Sequence, residues 1–566
     1  MFIVQRKTEI EGYTRVLIVE NYRENGKVKQ KTIRNIGTAR DAEDLEVKLR
    51  IATLQVEHEI AKKEKIELLV KYSGDFDAIP LKDKHILNFK SQNIKEIKRV
   101  DDGMPEIYGD LFDSMGFNKI LKNNNHNNIL KTLAALRICD PQSKLKSQEI
   151  LEETWNINFS IDSIYRMLES LSKHEDKVIQ TAFNAAKSLF PEEKIDVLFF
   201  DVTTLYFESV EQEEELKAFG FSKDCKFNQV QVVLALATTM AGIPIGYKVF
   251  KGNTAEVNTL LSCIDEWKKS ISIDNVIFVA DRAMFSKNNL YELDKRGFTY
   301  IVAAKLRSLS VDVKKDILSE SGYKITTHKD NIVWSKEIAT TLEHKVKENN
   351  KNKLIELPCR LISTYSSERA SKDAKDRERE LNKVNKHLNK NGILTPTKRL
   401  VTNACLRKYC KFEGNSASSL DESKVTNEKL WDGMHGIITN SKKSVPELLA
   451  RYHDLWQIEA AFRLTKSDLR VRPIYHYKPS RIRGHISLCF ISLTLMRHLQ
   501  YNLSLKNINI SIQKINSELR KLQHSICRDA HTGLHLKLPS AQTPLARQIY
   551  EALGLKRNEM ITFHRP

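Results

Sequence analysis

The chain has 566 residues, and its 91 Lys and Arg against 72 Asp and Glu give it a formal net charge of +19. Its length allows about three to five domains, and its charge favours a polyanion as partner, although an ordinary soluble protein from a lysine-rich proteome shows the same excess. Eight scattered cysteines without a Cys-x-x-Cys pair, no apolar run of about 18 residues and no signal-peptide pattern argue against a disulfide framework, a membrane span and secretion, so we expect a cytoplasmic protein.

The N-terminal third shows two successive patterns. Residues 1–35 alternate in short β-prone pieces and a helical pattern follows over 42–72, which predicts a small α+β module. Helical periodicity then dominates over 106–190. Within it, the stretch 160–171 begins with a Ser cap and fits the second helix of a helix-turn-helix, or equally an ordinary bundle helix.

From residue 195 the pattern changes to buried strands. Three strands joined by short loops are followed by helix, strand, helix and strand, which predicts a mixed sheet with antiparallel hairpins and parallel crossovers. This order is the topology of the ribonuclease H-like fold, so the predicted class is α/β. The predicted strands cover 195–207, 228–239, 243–252, 275–281 and 298–304, and the predicted helices cover 254–270, capped by Asn253, and 287–296.

Residues 306–430 interrupt this alternation. They contain short β-prone pieces and a strongly charged helix candidate at 366–388, a pattern typical of a solvated helix face. A long helix follows, opened by the capping box Ser444-x-x-Glu447 and predicted to continue to residue 467.

Two aspartates follow strands that are predicted to be buried. Asp201 comes after V-L-F-F (197–200), and Asp281 comes after N-V-I-F-V-A (275–280). Open α/β sheets build their sites at the carboxyl ends of such strands. Two carboxylates there repel one another unless a divalent cation lies between them, and oxygen ligands suit Mg²⁺ or Mn²⁺. The alternative is that each aspartate only caps the loop that follows its strand.

The helix at 451–466 offers a third acidic ligand. Tyr452, Glu459 and Lys466 are spaced seven residues apart and so share one helix face. Arg463 lies one turn beyond the glutamate. One acid among aromatic and basic side chains suits a metal ligand beside a bound phosphate, although an amphipathic surface helix can show the same spacing.

These residues resemble the signature of the DDE transposases of bacterial insertion sequences, in the branch marked by Tyr, two residues, Arg, three residues, Glu, six residues and Lys. Tyr452, Glu459 and Lys466 fit this spacing, whereas the arginine position holds Leu455. Arg451 and Arg463 are candidates to replace that arginine, so we expect Leu455→Arg to be tolerated. Also similar to the family are G-I-P-I-G-Y-K-V-F-K-G-N-T-A-E, D-G-M-H-G-I-I-T-N and F-R-L-T-K-S-D-L-R-V-R-P-I-Y-H.

The resemblance implies cut-and-paste transposition, with cleavage at the ends of the element followed by attack of the freed 3′-hydroxyl on target DNA. It implies Asp201, Asp281 and Glu459 as catalytic residues and metal ligands. The expected cofactor is Mg²⁺, with Mn²⁺ as substitute and two ions in the site. The expected partners are double-stranded DNA and a second copy of the chain, as a homodimer in the synaptic complex, with the protein associated with the bacterial nucleoid when it binds DNA.

A basic and aromatic tract follows the predicted catalytic helix over 470–483. We interpret it as a DNA-backbone contact, with a merely solvated loop as the alternative. The predicted DNA-binding residues are Tyr452, Arg463, Lys466, Arg470, Arg472, Arg481 and Arg483.

Other cofactor patterns are weak. The loop K-G-N-T (251–254) lacks the spacing of a P-loop, so no nucleotide cofactor is expected. The histidines have no ligand spacing, and we predict surface or packing roles for His435, His453, His476 and His485.

Two other functions stay open from the sequence. One is a catalytically inactive or domesticated relative that binds DNA without cutting it, which Leu455 motivates, and the other is a ribonuclease H-fold nuclease without strand transfer.

The predicted division of the chain is an N-terminal α+β module at 1–95, a helical region at 96–190 that is a candidate for binding DNA ends, a first part of the ribonuclease H-like core at 191–305, an insertion domain at 306–435, a second part of the core with the catalytic glutamate at 436–525, and a C-terminal tail at 526–566.

Overall fold

The computed structural model describes two compact units. The first consists of Met1–Ile107, Gln148–Asn158 and Asn502–Pro566, and the second of Tyr108–Ser147 and Phe159–Tyr501. The described residues are 1–24, 27–71, 94–190, 195–208, 211–213, 215–220, 229–271, 276–328, 331–348, 351–391, 408–413, 416–530 and 535–564. Residue 228, where a strand was predicted to begin, lies outside them.

The strands and helices are numbered in chain order. The strands are β1 (Phe2–Lys7), β2 (Thr14–Glu24), β3 (Lys27–Ala39), β4 (Ile94–Asp101), β5 (Val197–Tyr206), β6 (Gln231–Thr238), β7 (Pro244–Lys251), β8 (Ile277–Ala280), β9 (Thr299–Ala303), β10 (Lys324–His328), β11 (Asn331–Glu348), β12 (Lys351–Tyr365), β13 (Cys410–Glu413), β14 (Ser416–Leu420), β15 (Met434–Thr439), β16 (Gln523–Asp529), β17 (His535–Pro539) and β18 (Thr562–His564). The helices are α1 (Ala42–Lys71), α2 (Gly103–Ser114), α3 (Asn124–Cys139), α4 (Lys144–Thr154), α5 (Ile161–Leu171), α6 (Glu175–Leu189), α7 (Thr259–Ser270), α8 (Lys287–Lys295), α9 (Val311–Leu318), α10 (Ser367–Asn391), α11 (Glu422–Lys429), α12 (Val445–His453), α13 (Trp456–Arg463), α14 (Pro479–Leu505), α15 (Ile512–Leu519) and α16 (Pro544–Ala552).

The first unit joins the two ends of the chain. In its N-terminal part, β1, β2 and β3 form an antiparallel sheet, whose Val16 and Ile18 pack with Ala52 of α1. In another sheet the order is β18-β17-β16-β4. The region 526–566 was predicted as a tail, but it contributes strands to this sheet. Strand β16 pairs with β4, β17 pairs with β16, and β18 pairs with β17.

The second unit contains the ribonuclease H-like sheet. Its strands β5, β6 and β7 are antiparallel neighbours, while β5, β8 and β9 are parallel neighbours. The resulting order β7-β6-β5-β8-β9 confirms the predicted fold. Helix α7 packs on this sheet through Trp267, and Gly246 permits the contact because a Cβ there would lie 3.0 Å from the indole ring.

The β-rich insertion extends this sheet instead of forming a separate layer. Strands β10, β11, β12 and β15 continue it beyond β9, with β15 antiparallel to both β12 and β9. The charged helix α10 is not only solvated, because Arg377 pairs with Asp432 and Val384 is buried against Tyr409.

Helix α14 is largely buried. The hydroxyls of Tyr247 in β7 and Ser487 lie 2.6 Å apart, and the hydroxyl of Ser492 donates to the carbonyl of Ala134 in α3 at 3.1 Å. Ser160 caps α5 as predicted, since its side chain accepts a hydrogen bond from the N–H of Ser163. In the described part of the chain, no helix has the length and apolarity to cross a membrane.

One predicted helix start is wrong, and another is right in position but lacks its predicted cap. Asn253 does not cap a helix, because a 3-10 turn at Glu256–Asn258 comes first and α7 begins at Thr259. Ser444 occupies the N-cap position of α12, but its side chain makes no capping hydrogen bond. Glu447, the other half of the predicted capping box, pairs with Lys443 and Arg451 instead.

Candidate active site

Strand register brings Asp201 and Asp281 to the same level of the sheet. The last paired residues of the parallel strands β5 and β8 are Phe200 and Ala280, so the two aspartates follow at equal positions. Residues at equal positions on neighbouring parallel strands point to the same face of a sheet. Asp201 lies within β5, which continues beside β6 to Tyr206, and so the prediction that it ends a strand is wrong.

The two carboxylates differ in their surroundings. Asp201 is half-buried, and its Oδ1 accepts a hydrogen bond of 2.7 Å from the N–H of Val202. Asp281 is exposed and occupies the N-cap position of the 3-10 turn Arg282–Met284, yet its side chain makes no capping hydrogen bond. The alternative of a loop-capping aspartate therefore fails for Asp281.

The helix that carries Glu459 is not continuous. Helix α12 ends at His453 and α13 begins at Trp456, with Leu455 as its N-cap residue. Leu455 lies at this break and is 7% exposed. Its apolar side chain is therefore removed from water at the point where the predicted helix is interrupted. After Arg463 the backbone widens into a π-helical turn, Leu464–Asp468, which carries Lys466.

Electrostatics nevertheless connect the acids across these elements. Helix α13 packs against β5, and Glu459 in its first turn is exposed. Burial raises the pKa of Tyr452, and the carboxylates of Asp281 and Glu459 raise it further, while Arg282 and Arg369 act in the opposite direction. Because such interactions weaken with distance, Tyr452 lies near both acids.

Histidine 435 lies at the same place. Its ring centroid is 5.2 Å from that of Tyr452. Burial lowers the pKa of His435 to about 4, and the guanidinium groups of Arg369 and Arg282 act in the same direction while Asp281 opposes them. His435 is therefore neutral at neutral pH, and the prediction of a surface or packing role missed its position beside an acid.

The chemical types of the three acids suit a divalent cation. Within the described residues, no three His, Cys, Asp or Glu side chains form a group that holds a metal as it stands. Three carboxylates, two from neighbouring strands and one from a helix packed on β5, are the oxygen ligands that Mg²⁺ and Mn²⁺ prefer.

The candidates for the missing signature arginine have different surroundings. Arg451 is half-buried and paired, with its Nη2 2.8 Å from Asp196 and 3.4 Å from Glu447. Arg463 is exposed, and Lys466 is half-buried. Of the two candidate replacements, Arg463 is the one that faces solvent.

The basic tract is largely engaged with its own chain. Arg481 lies 4.2 Å above the ring of Tyr165, and its Nε is 2.7 Å from Glu169. Arg483 lies 3.4 Å from Glu215. Arg472 stands 5.2 Å over the ring of Tyr206, while Arg470 is exposed.

A cleft of about 570 Å³ adjoins Asp281 and was missed from the sequence. Arg282 and His435 line it on the sheet side, and Arg369, Arg377 and Trp431 line it from the insertion. The available signals were the arginine directly after Asp281 and the histidine within D-G-M-H-G.

Two family models match the sequence of the chain. The family model described as "Transposase DDE domain" matches residues 192–495, and that described as "IS1634 family transposase, N-terminal domain" matches residues 3–71. No curated protein matches the chain.

Among solved structures, the piggyBac transposase synaptic complex with hairpin DNA aligns with a TM-score of 0.35 and 10% identity, covering 74% of this chain and 77% of that one. The Mos1 transposase paired-end complex with left transposon end aligns with a TM-score of 0.15 and 12% identity, covering 30% and 57%. The Mos1 mariner paired-end complex with Mn aligns with a TM-score of 0.14 and 13% identity, covering 38% and 70%.

Proposed function

The chain belongs to the transposase DDE domain family, and we propose that this DNA transposase moves an element by cut and paste, through an active site at Asp201, Asp281 and Glu459. Cleavage at the ends of the element and joining of the freed 3′-hydroxyl to target DNA are the same in-line displacement at phosphorus, with different oxygen nucleophiles. One site therefore serves both steps. The observation that carries the assignment is the register of β5 and β8, which sets Asp201 beside Asp281 under the helix of Glu459.

Transposases of this family use divalent metal ions, and we propose Mg²⁺, with Mn²⁺ as substitute and two ions in the site. The residues that would hold them are Asp201, Asp281 and Glu459. When bound, the ions supply Lewis acidity at the scissile phosphodiester. The N–H of Val202 fixes the orientation of the Asp201 carboxylate.

The surrounding side chains position the DNA. Tyr452 and His435 are neutral at neutral pH, so they can hydrogen-bond to a sugar or a phosphate without adding charge to the site. Arg282, Arg463 and Lys466 supply positive charge for the phosphates beside the cleaved bond. We further propose a homodimer, because joining two element ends to one target requires two sites.

The test is an excision assay on a plasmid that carries the inverted repeats flanking the coding region, with Mg²⁺ in the buffer. Asp201→Asn should abolish cleavage and leave binding in a gel shift nearly unchanged, because the phosphate contacts lie elsewhere. Glu208→Gln, an exposed acid after β5, is the charge-matched control and should cleave normally. Cleavage by the Asp201→Asn protein would contradict the assignment.

A further inference from the structure

A cavity of about 290 Å³ in the second unit has walls rich in basic side chains. It lies among the end of α3, the start of α4 and the segment 470–485. Among the described residues that line it there is no Asp or Glu. The basic residues of the lining are Arg137, Lys144, Arg470, Arg472, His476 and His485.

Two of these cations are deeply buried. Arg137 is 7% exposed and Lys144 is 5% exposed. Arg137 donates from Nη1 to the carbonyl of Gln142 at 2.5 Å and from Nη2 to the carbonyl of Arg470 at 3.4 Å, but its buried Nε–H has no hydrogen-bond partner. Leaving a charged donor unpaired in the interior is costly, so the fold alone does not account for this guanidinium.

His485 cannot satisfy both cations. Its Nδ1 is 3.3 Å from Nζ of Lys144, and its Nε2 is 3.3 Å from both the carbonyl of Val471 and Nη2 of Arg137. If Nδ1 accepts from Lys144, the proton of the neutral ring is on Nε2, where it donates to Val471 and repels Arg137. The opposite tautomer accepts from Arg137 and sets its Nδ1–H against Lys144.

Both histidines are neutral, so they neither add to the positive charge of the cavity nor offset it. Burial, Lys144 and Arg137 lower the pKa of His476 to about 3 and that of His485 well below its usual value. Burial and Arg137 lower the pKa of Lys144 to about 7, while the Cys489 thiol opposes them. Arg137 is therefore a buried cation with no carboxylate among the described lining residues, and an anion bound beside it would also favour the charged form of Lys144.

We propose that this cavity binds a phosphate group through Arg137 and Lys144, with Arg470 and Arg472 completing the set of donors. Guanidinium and ammonium donors that converge from several elements suit a phosphate, which accepts hydrogen bonds in several directions. The phosphate comes either from a DNA backbone or from a free phosphate in solution. The DNA source rests on the proposed function, because the segment 470–476 follows directly from the turn that carries Lys466.

The first test is calorimetric titration with inorganic phosphate, at ionic strength held constant with chloride. The wild type should bind phosphate, and Lys144→Met should bind it roughly tenfold more weakly or worse, since a charged hydrogen bond is lost. Lys146→Met, an exposed neighbour on the same helix, is the matched control and should bind as the wild type does. Without phosphate, Lys144→Met should melt at the same temperature as the wild type or higher, because an uncompensated buried charge is removed.

The second test measures DNA affinity against salt for the same three proteins. If a backbone phosphate occupies the cavity, Lys144→Met should reduce the slope of log K against log salt by about 0.9 relative to Lys146→Met. A normal slope with lost phosphate binding would assign the cavity to a free phosphate. Equal phosphate affinity and equal slopes in all three proteins would overturn the proposal.

A second variant guards against misfolding. Arg470 is exposed with a φ of 42°, and Asn tolerates this left-handed conformation, so Arg470→Asn removes a charge from the cavity lining without disturbing the core. It should weaken phosphate or DNA binding in the same assays, and unchanged binding would count against the site. Asp201→Asn should bind phosphate normally, so failure of the active-site assignment and failure of this proposal are distinguishable.

Discussion

Leu455 occupies the arginine position of the family signature, but its side chain is buried and does not lie on the protein surface. The sequence suggested that an arginine at this position would be tolerated, on the assumption that the side chain faces DNA. It faces the core instead, at 7% exposure between α12 and α13. The prediction that Leu455→Arg is tolerated is therefore wrong. Arg463 is the exposed cation on this segment.

Replacing Leu455 with Arg should destabilise the protein by about 2–4 kcal/mol, because a charged group is forced into a packed apolar site. Chemical denaturation monitored by fluorescence measures the change. The matched control is Trp456→Arg, since Trp456 is the next residue and is 48% exposed. Equal free energies of unfolding for the two variants would show that position 455 faces solvent.

A second residue-scale prediction concerns Glu175 in the first turn of α6. Burial raises the pKa of Glu175 to about 7, with Glu266 and Asp176 acting in the same direction and Arg483 and Lys248 opposing them. The folded state therefore binds the proton more tightly than the unfolded chain, whose pKa is near the model-peptide value of about 4.3. Stability contributed by this group is present below that value and is lost as the pH rises through about 7.

Glu175→Gln should therefore be more stable than the wild type at pH values above the folded pKa, by roughly 1–3 kcal/mol, and should lose part of the pH dependence. Unfolding measured across mildly acidic to mildly basic pH gives both quantities. Asp162→Asn removes an exposed acid from the first turn of α5 that is not among the groups shifting the pKa of Glu175, so it serves as the control and should follow the wild-type profile. A Glu175→Gln profile parallel to that of the wild type would contradict the assignment.

At the scale of elements, the sequence located what is local and missed what is remote. Buried strands are short apolar runs, so the predicted strand 243–252 agrees closely with β7 (Pro244–Lys251). The pairing of β16 with β4 joins segments more than four hundred residues apart, and no local periodicity contains it. The candidate site shows the same division, because the acids were evident from their strands and helix, whereas His435 comes close to Asp281 only through folding.

Packing of α14 on α5 depends on a glycine. A Cβ on Gly484 would lie 2.1 Å from the carbonyl oxygen of Leu168, which is too close for any side chain. Gly484→Ala should therefore lower stability by about 1–3 kcal/mol or more, through overpacking of a rigid backbone contact. Thermal unfolding measures the loss.

Gly109→Ala is the control for this substitution, because a Cβ at this helical glycine would have its nearest neighbour at 3.8 Å. Alanine favours helix over glycine, so the control should be neutral or slightly stabilising. If Gly484→Ala had the same melting temperature as Gly109→Ala, the prediction would be wrong. The backbones of α14 and α5 would then be able to move apart at little cost in stability.

At the scale of the whole molecule, the net charge of +19 favours DNA binding. The predicted DNA-binding cations differ, however, in whether they are paired within the protein. Arg481 and Arg483 lie in ion pairs with Glu169 and Glu215, whereas Arg463 is exposed on the segment that carries Glu459. All three stay predicted DNA-binding residues. Cations already paired within the protein release fewer counterions on binding DNA than exposed ones do.

Arg463→Ala should consequently flatten the slope of log K against log salt by about 0.9, the value of one lost phosphate contact, while Arg481→Ala should change it less. The two variants remove the same charge from the same unit, so each is a control for the other. Fluorescence anisotropy with a labelled duplex over a salt series provides both slopes. If Arg481→Ala flattened the slope as much as Arg463→Ala, the pair with Glu169 would have to open on DNA, and the basic tract would then contact the backbone as the sequence predicts.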